Sequence, residues 1–380
     1  MPTSSAKRAW ILIAIGLLCL IGAAVVYYYW QARPLPPIVS TVPGVPIAGP
    51  PPDILSQLPA DAPVVAYIDA ANLRKLQNSP LAAALGLASP GPQADRDYAD
   101  FVRDTGFDYT RDMDHAAVAV WPASIGTPDN VLGEDRVIAI ADGRFDQQKI
   151  KAYALRTGKE IGGGPQPVYD VPGNPPVSLT FLSPTRIALA SGHNSTELLA
   201  RVTTGTSSSA RRDPAMQSRI QRVAGAPMFA VARADRLPQS IYAPLHNSPQ
   251  LEQIARSVQA ITLAGQPDRD NLKVTLDAEC DSMKNAVQLA FLLETGKMAG
   301  SMALSDPGTR RQMTKEQYVF LEALINHAAI NHQNKVVRIT LEITPDMLAA
   351  APPPKPAASH APTTPHTPAP PPSAYPHSSQ

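Results

Sequence analysis

Cysteine, aromatic residues and net charge are all scarce in this 380-residue chain. Of its two cysteines, Cys19 lies inside an apolar run and Cys280 lies far beyond it, so we expect no disulfide within the rest of the chain. Its 33 Lys and Arg residues and 32 Asp and Glu residues give a formal charge of +1, which creates no general field for a polyanion. The composition predicts an ordinary hydrophobic core and no nucleic-acid partner.

Catalytic and cofactor-binding motifs are also missing. Residues 162–164 are three glycines, but the lysine and hydroxyl residue of a phosphate-binding loop do not follow them. Cys280 falls on the apolar side of an alternating segment, which predicts a buried, unreactive thiol. His115 has no Cys or His near it in the sequence, and His327 and His332 would lie about 140° apart on a helix, so no zinc site is predicted. We expect no enzyme activity, no cofactor and no bound metal.

Residues 95–114 are rich in aspartate and invite comparison with a calcium-binding loop. The segment lacks the Asp-x-Asp-x-Asp-Gly spacing and the later bidentate glutamate of such loops, and arginines are interleaved with its aspartates. Surface ion pairs and helix caps are therefore the favoured interpretation. Asn194 and Ser195 open a predicted helix, where either residue fits an N-cap, although helix-terminal N–H groups also hold anions.

One long apolar run lies near the N-terminus. Residues 10–30 carry no charge, and a 21-residue helix spans roughly 31 Å, close to the roughly 30 Å core of a bilayer. Lys7 and Arg8 precede the run, which predicts a cytoplasmic N-terminus and an extracytoplasmic remainder. A signal peptide cleaved near residues 22–24 is the alternative. The predicted membrane-anchoring residues are Trp10, Leu17, Leu18, Tyr27, Tyr28, Tyr29 and Trp30.

Proline is unevenly distributed along the chain. The 41 prolines cluster before residue 64 and after residue 350, and such segments favour extended conformations that bury little surface. The chain is accordingly predicted to contain six regions. They are a cytoplasmic N-terminus (1–9), a transmembrane helix (10–30), a Pro-rich stalk (31–58), two α+β modules (59–210 and 211–350) and a Pro-rich disordered tail (351–380).

Short strands alternate with helices between the two proline clusters. Residues 272–281 and 335–343 alternate apolar and polar side chains, as half-buried strands do. Residues 64–68 and 137–141 are apolar on both faces, which is typical of central strands. Further strands are predicted at 116–121, 177–182, 186–190, 228–233 and 259–263.

Helices are predicted from their starts and from their apolar faces. Thr314 and Gln317 form a capping-box pattern ahead of an apolar stripe. Residues 287–293 are apolar nearly all round, which predicts a buried helix and not a second membrane span. The remaining helices are predicted at 72–87, 95–105, 147–157, 196–203, 249–258 and 282–304.

An internal repeat organises these elements. Residues 62–73 and 226–237 share the pattern Ala-Pro-x-x-Ala-x-x-x-Ala-x-x-Leu, and each copy precedes helical sequence, two strands and another helix. The α+β fold is therefore predicted to consist of two similar β-α-β-β-α modules with mixed or antiparallel sheets. One transmembrane helix precedes them, and a joint near residues 205–214 connects them.

Four segments carry a family resemblance: residues 58–74, 142–154, 169–173 and 181–192. They resemble uncharacterised single-pass bacterial envelope proteins in which an N-terminal anchor precedes a duplicated α+β region. The resemblance implies a location in the bacterial cell envelope. Together with the predicted anchor and its orientation, it predicts a single-pass protein of the inner membrane with its C-terminal region in the periplasm. It implies no activity, ligand or catalytic residue.

These observations together predict a membrane-anchored, non-enzymatic envelope protein. Its modules are expected to bind another envelope protein or to act as a scaffold. The alternative hypothesis is a small-ligand or glycan binding protein, because a duplicated α+β region can form a cleft between its two modules.

Overall fold

The computed structural model describes residues 50–75, 96–122, 135–161, 166–172, 176–192, 194–203, 209–238, 242, 249–268, 270–311, 313–345 and 347. The predicted cytoplasmic N-terminus, the apolar run 10–30, residues 31–49 of the predicted stalk and the tail 351–380 all lie outside these ranges.

The described strands form one twelve-stranded sheet in which all paired neighbours are antiparallel. Its order is β11-β12-β10-β9-β8-β1-β2-β3-β7-β6-β5-β4. In chain order the strands are β1 (Val64–Asp69), β2 (Met113–Trp121), β3 (Arg136–Gly143), β4 (Lys159–Ile161), β5 (Val168–Val171), β6 (Val177–Ser183), β7 (Arg186–Ser191), β8 (Met228–Arg233), β9 (Val258–Asp268), β10 (Asn271–Cys280), β11 (Ala328–Gln333) and β12 (Val336–Ile343).

Helices connect the strands and cover both faces of the sheet. The α-helices are α1 (Ala70–Arg74), α2 (Arg96–Thr105), α3 (Tyr109–Asp112), α4 (Gln147–Thr157), α5 (Ser195–Thr203), α6 (Pro214–Gln221), α7 (Pro249–Arg256), α8 (Met283–Ser305), α9 (Pro307–Arg311) and α10 (Lys315–His327). There are also two short 3-10 helices among the described residues. Asp53–Gln57 precedes β1, and Ala234–Arg236 follows β8.

Side-chain caps start several of these helices where the sequence changes from strand or loop. Asp146 accepts a hydrogen bond from Lys149 N at the start of α4, and Ser282 does the same for Asn285 N at the start of α8. Asp213 caps α6, whose first residue is a proline. The predicted capping box of Thr314 is confirmed, because Thr314 Oγ1 accepts a hydrogen bond from Gln317 N and Gln317 Oε1 accepts one from Thr314 N.

The prediction of two modules with sheets of their own is wrong. The first strand of one half, β1, pairs directly with the first strand of the other, β8, so a single sheet runs through the whole fold. Two equivalent hydrogen bonds of 2.7 Å close this pairing at its ends, from Asp69 N to Pro227 O and from Arg233 N to Pro63 O. The predicted β-α-β-β-α order also omits the four strands β4 to β7 of the first half and the pair β11 and β12 of the second.

The strands on the two sides of this central pair correspond to each other in order, counted outward from β1 and from β8. One side reads β1-β2-β3-β7-β6 and the other reads β8-β9-β10-β12-β11, while β5 and β4 extend only the first side. Ala66 lies opposite Ala230, which is its counterpart in the sequence repeat. The two copies of the repeat therefore meet at the centre of the sheet in a pseudo-twofold arrangement.

The predicted transmembrane helix is also corrected. No helix within the described residues is both long and apolar enough to cross a bilayer, and residues 10–30 lie outside those residues. The single-pass topology and the inner-membrane location, which depended on that helix, are withdrawn with it.

The hydrophobic core lies on both faces of the sheet. On one face, side chains of β1, β2, β3, β7 and β8 pack under the 3-10 helix Asp53–Gln57, α5 and α6. On the other face, α4 covers the end formed by β5, β6 and β7, whereas α8 and α10 cover the end formed by β10, β11 and β12. Successive strand residues point to opposite faces, so Ala188 belongs to the first cluster and Ile187 to the second.

Candidate functional site

A row of charged and polar side chains crosses four neighbouring strands at one end of the sheet. Asp69 of β1 lies opposite His115 of β2, His115 lies opposite Asp142 of β3, and Asp142 lies opposite Arg186 of β7. Residues directly opposite each other on antiparallel strands point to the same face. The row therefore borders the apolar core on the face that carries Tyr67 and Ile140.

A cleft of about 400 Å³ lies above this row. The chain before β1, residues 50–54, forms one wall, and residues 224–227, which lead into β8, form another. A volume of roughly 300–1,000 Å³ is typical of small-molecule sites. The cleft is thus large enough for a ligand, and it lies beside the central strand pair β1 and β8.

Tyr67 and His115 form the centre of the cleft floor. The Tyr67 hydroxyl lies 2.9 Å from His115 Nδ1, and the two rings stack with their centroids 6.1 Å apart. His115 Nδ1 also lies 3.6 Å from Asp69 Oδ1. Burial of Tyr67, with the nearby charges of Asp69 and Asp142, raises its pKa to about 12. At neutral pH this phenol is protonated, so it donates to Nδ1 in the tautomer that leaves Nδ1 unprotonated.

Arg186 and Asp142 form a two-point ion pair on the far side of the cleft. Arg186 Nε lies 2.5 Å from Asp142 Oδ1, and its Nη2 lies 2.8 Å from Oδ2. Asp53, at the rim, approaches Arg186 at 3.9 Å. Because Asp142 engages two donors of Arg186, this arginine has less capacity to bind a negatively charged ligand.

The corresponding end of the other half is filled by protein. Arg233 of β8 and Glu279 of β10 occupy the edge of the same face, and α6 lies over them. Asp213 binds Arg233 at 2.9 Å, while Arg219 and Arg222 bind Glu279 at 3.3 and 2.6 Å. A cavity of about 10 Å³ lies nearby, between the residues that follow α6, Arg222 and Val223, and the strand residues Thr262, Thr275 and Asp277. One half therefore carries an open polar cleft where the other carries packed ion pairs.

A second feature is an apolar stripe on α8. Five exposed side chains lie along one side of this helix, and these residues, Met283, Val287, Phe291, Met298 and Met302, define the stripe. Their spacing of four or seven residues places them within about 100° of the helix circumference. The opposite side, with Leu289 and Leu293, packs on the sheet. The prediction that residues 287–293 are buried is therefore corrected, since Val287 and Phe291 are 45% and 51% exposed.

Comparisons with known proteins add a distant likeness of fold. No protein-family model matches the sequence, and no curated protein matches it. Crystal forms III, IV and I of TP0453 align with TM-scores of 0.42, 0.43 and 0.41 at 11%, 12% and 12% identity. Each alignment covers 78% of this chain and 95–96% of the TP0453 chain. At these values no functional argument follows from the likeness.

Most residues considered in the sequence have local structural roles. Cys280 is fully buried, as the strand alternation predicts. Burial raises the pKa of its thiol. Asp108 caps α3, and Asp112 pairs with Arg111 at 2.6 Å. Ser195 is the first residue of α5, and its hydroxyl is hydrogen-bonded to Ser178 at 2.7 Å.

Other predicted residues lie outside the described part of the chain. These are the glycines 162–164 and the membrane-anchoring residues Trp10, Leu17, Leu18, Tyr27, Tyr28, Tyr29 and Trp30. Within the described residues, no group of three or more His, Cys, Asp or Glu side chains could hold a metal ion.

The cleft residues were not predicted as a site. His115 was considered alone because no Cys or His lies near it in the sequence, and neither Asp142 nor Arg186 was considered as a ligand-binding residue. The strand register brings these three residues and Asp69 together from positions 27 to 117 residues apart along the chain. The sequence contains one weaker indication of the site. Asp69, His115, Asp142 and Arg186 each lie at, or directly beside, one end of a predicted strand.

Proposed function

We propose that this chain is a non-enzymatic protein-interaction component that binds a protein partner through the apolar stripe on α8. The observation that carries the proposal is the concentration of exposed apolar groups. Eight large apolar side chains are exposed among the described residues, and five of them lie on this one side of one helix. Contiguous exposed apolar patches usually mark interaction surfaces, whereas scattered ones need no explanation.

The size and composition of the stripe suit a protein interface. Met283 and Met302 are 62% and 70% exposed and mark its two ends, about 28 Å apart at 1.5 Å per residue. Phe291, at 51%, lies near its middle. Methionine and aromatic side chains are enriched where proteins meet, because they bury much surface and adapt to the partner's shape. A partner groove along this helix would cover all five side chains at once.

A charge within the stripe favours a protein over a lipid surface. Glu294 lies seven residues after Val287, on the same side of the helix, and makes no ion pair with any described residue. Helices that lie on anionic lipid carry rows of Lys and Arg beside the apolar face. A protein can instead place a basic side chain opposite Glu294. The proposed partner is therefore an apolar segment with one Lys or Arg; its place in the cell envelope stays a prediction.

Site-specific photo-crosslinking tests this proposal in cells. A benzophenone amino acid replaces Phe291 or, separately, Met302 in the full chain, and Lys273, an exposed residue of β10, serves as the matched control position. We expect protein adducts from the two stripe positions and none from position 273. The adduct mass tells a second copy of the chain from another protein. Lipid adducts alone, or no adduct from either stripe position, would contradict the proposal.

The alternative, a binding protein with a cleft between its two modules, stays a prediction. β1 and β8 are hydrogen-bonded neighbours, so no gap separates the halves. The polar cleft lies at one end of the strands, and residues of the first half and residues 224–227 of the second line it.

A further inference from the structure

We infer that the cleft above Asp69, His115, Asp142 and Arg186 binds a small organic cation, whose guanidinium or ammonium group lies against Asp69. This ligand is separate from the protein partner of α8. Binding of the cation therefore does not depend on the apolar stripe.

The balance of charge in the cleft selects a cation. Three carboxylates, those of Asp53, Asp69 and Asp142, line it together with one arginine, Arg186. That arginine already binds Asp142 through two nitrogens. An incoming anion would find few unused donors on Arg186 and would meet the carboxylates of Asp53 and Asp69. A cation gains charge-assisted hydrogen bonds from the same groups.

Asp69 is the carboxylate with acceptor capacity to spare. Among the described residues, it accepts one hydrogen bond, at 2.7 Å from Asn72 N, and lies 3.6 Å from His115 Nδ1. An ionised carboxylate has about four lone-pair sites. Asp69 is about one quarter exposed, so its unused sites are open to the cleft and still partly shielded from water.

The other half of the sheet supplies an internal comparison. There, Glu279 lies on the same face at the position that the pseudo-twofold relates to Asp142, and α6 with the residue after it places two guanidinium groups on it, those of Arg219 and Arg222. The chain before β1 forms only the 3-10 helix Asp53–Gln57 at the corresponding place, and it offers no arginine to Asp69. Among the described residues, Arg186 alone binds Asp142, so the first half has one guanidinium group where the second has two. A ligand with a guanidinium or ammonium group would take the place of the second one, beside Asp69.

The walls of the cleft define the rest of the ligand. Pro50, Pro52, Ile54 and Pro227 present apolar surface beside the polar floor. A short methylene chain attached to the cationic group would pack against these residues and lose contact with water. Agmatine, which has a guanidinium and an ammonium group joined by four methylenes, is therefore a suitable probe.

Calorimetric titration of the full chain with agmatine tests the inference. We expect saturable binding, and Asp69→Asn should weaken it about tenfold or more, because the change removes a charge-assisted hydrogen bond. Asparagine also caps helices, so this variant keeps the hydrogen bond to Asn72 N and the fold. Asp268→Asn, an exposed change at the end of β9, is the control and should leave the affinity unchanged.

A second variant should change the affinity for agmatine in the opposite direction. Arg186→Gln removes the competing cation of the cleft, so agmatine should bind more tightly, whereas an anion site would lose affinity. Circular dichroism at each ligand concentration confirms that the variants remain folded. Three results overturn the inference: no agmatine binding, equal affinity in the wild type and Asp69→Asn, or binding of succinate or N-acetylglucosamine in preference to agmatine.

Discussion

Tyr67 lies at the boundary between the apolar core and the polar cleft. Its ring packs 5.3 Å from that of Phe229, across the β1–β8 pair, while its hydroxyl contacts His115. Burial disfavours the phenolate most, and Asp69 and Asp142 add repulsion, so the pKa rises to about 12. The side chain is thus held as a neutral hydrogen-bond donor.

The ionisation of Tyr67 can be measured directly. The difference between the alkaline absorbance titrations of the wild type and Tyr67→Phe should show a midpoint near 12, above the ordinary tyrosine value of about 10. Because the folded pKa is raised, the stability linked to this group is present below about pH 10 and is lost as the pH rises through the folded value. Asp69→Asn should lower the midpoint; a difference curve centred near pH 10 would refute this account.

Residue environments were predictable where they depend on neighbours in sequence. Cys280 was predicted to be buried because every second residue of its strand is apolar. The environment of His115 depends on β1 and β3, which pair with it from 46 residues before and 27 residues after it. No local spacing carries that information, so the cleft could be recognised only once the strand register was known.

At the scale of elements, both ion pairs and apolar contacts hold α6 against the sheet. Met216 and Ile220 are fully buried, and Arg219 and Arg222 both reach Glu279 on β10. Burial acts to raise the pKa of Glu279, but the hydrogen bonds from the two arginines outweigh it, and the pKa lies below its ordinary value. This carboxylate therefore helps to hold α6 on the sheet.

Glu279→Gln should reduce the free energy of unfolding by about 1–3 kcal/mol at pH 7, because it leaves two partly buried arginines with a weaker acceptor. The folded pKa is depressed, so this stabilisation is present above the unfolded value of about 4.3 and is lost as the pH falls through the folded value. Urea unfolding from pH 7 to pH 3 measures the difference between the wild type and the variant. A difference that stays constant across this range would contradict the proposed role of the charge.

The two sides of α8 should respond differently to truncation. Leu289 is 3% exposed and packs on the sheet, so Leu289→Ala should cost about 2–5 kcal/mol in the free energy of unfolding. Phe291→Ala, two residues later on the stripe, should cost less than about 1 kcal/mol in the isolated chain and should remove the crosslinked partner. Urea unfolding compares the two variants. Equal losses of stability would mean that the stripe is part of the core.

Long periodic elements were predictable, and short ones were not. All nine predicted strands are present, and the helix predicted at 147–157 matches α4. The three-residue β4 and the four-residue β5 are too short to show a period. β11, with the sequence AAINHQ, follows α10 without a break, and its first alanine also continues the apolar stripe of that helix. Its pairing with β12 decides its conformation.

At the scale of the whole molecule, the main feature is the joining of two similar halves through β1 and β8. Residues 64–68 are apolar on both faces, and this pattern predicted a central strand. It could not tell which strand lies on each side, because periodicity fixes the face of a residue and not the identity of its neighbour. The separate sheets that were predicted would each have left β1 or β8 as an exposed edge.

The near symmetry of this pairing predicts the behaviour of one half alone. A chain restricted to residues 209–347 would expose β8 as an unpaired edge with free N–H and C=O groups. Since β8 already pairs with a strand of similar sequence about the Ala66 and Ala230 pair, a second copy of β8 can take the place of β1. We expect this half to form a dimer in size-exclusion chromatography with light scattering, whereas the full chain keeps this edge covered.

The variant Ala230→Lys separates this pairing from non-specific association. In the dimer, position 230 would lie opposite position 230 of the second copy, so two lysines would face each other and destabilise the pair. In the full chain the same lysine would lie opposite Ala66, where no like charge opposes it. The variant should therefore make the half monomeric while the full chain keeps its fold. A dimer that persists in the Ala230→Lys half would show that another surface joins the copies, and the pseudo-twofold pairing would not explain how the halves recognise each other.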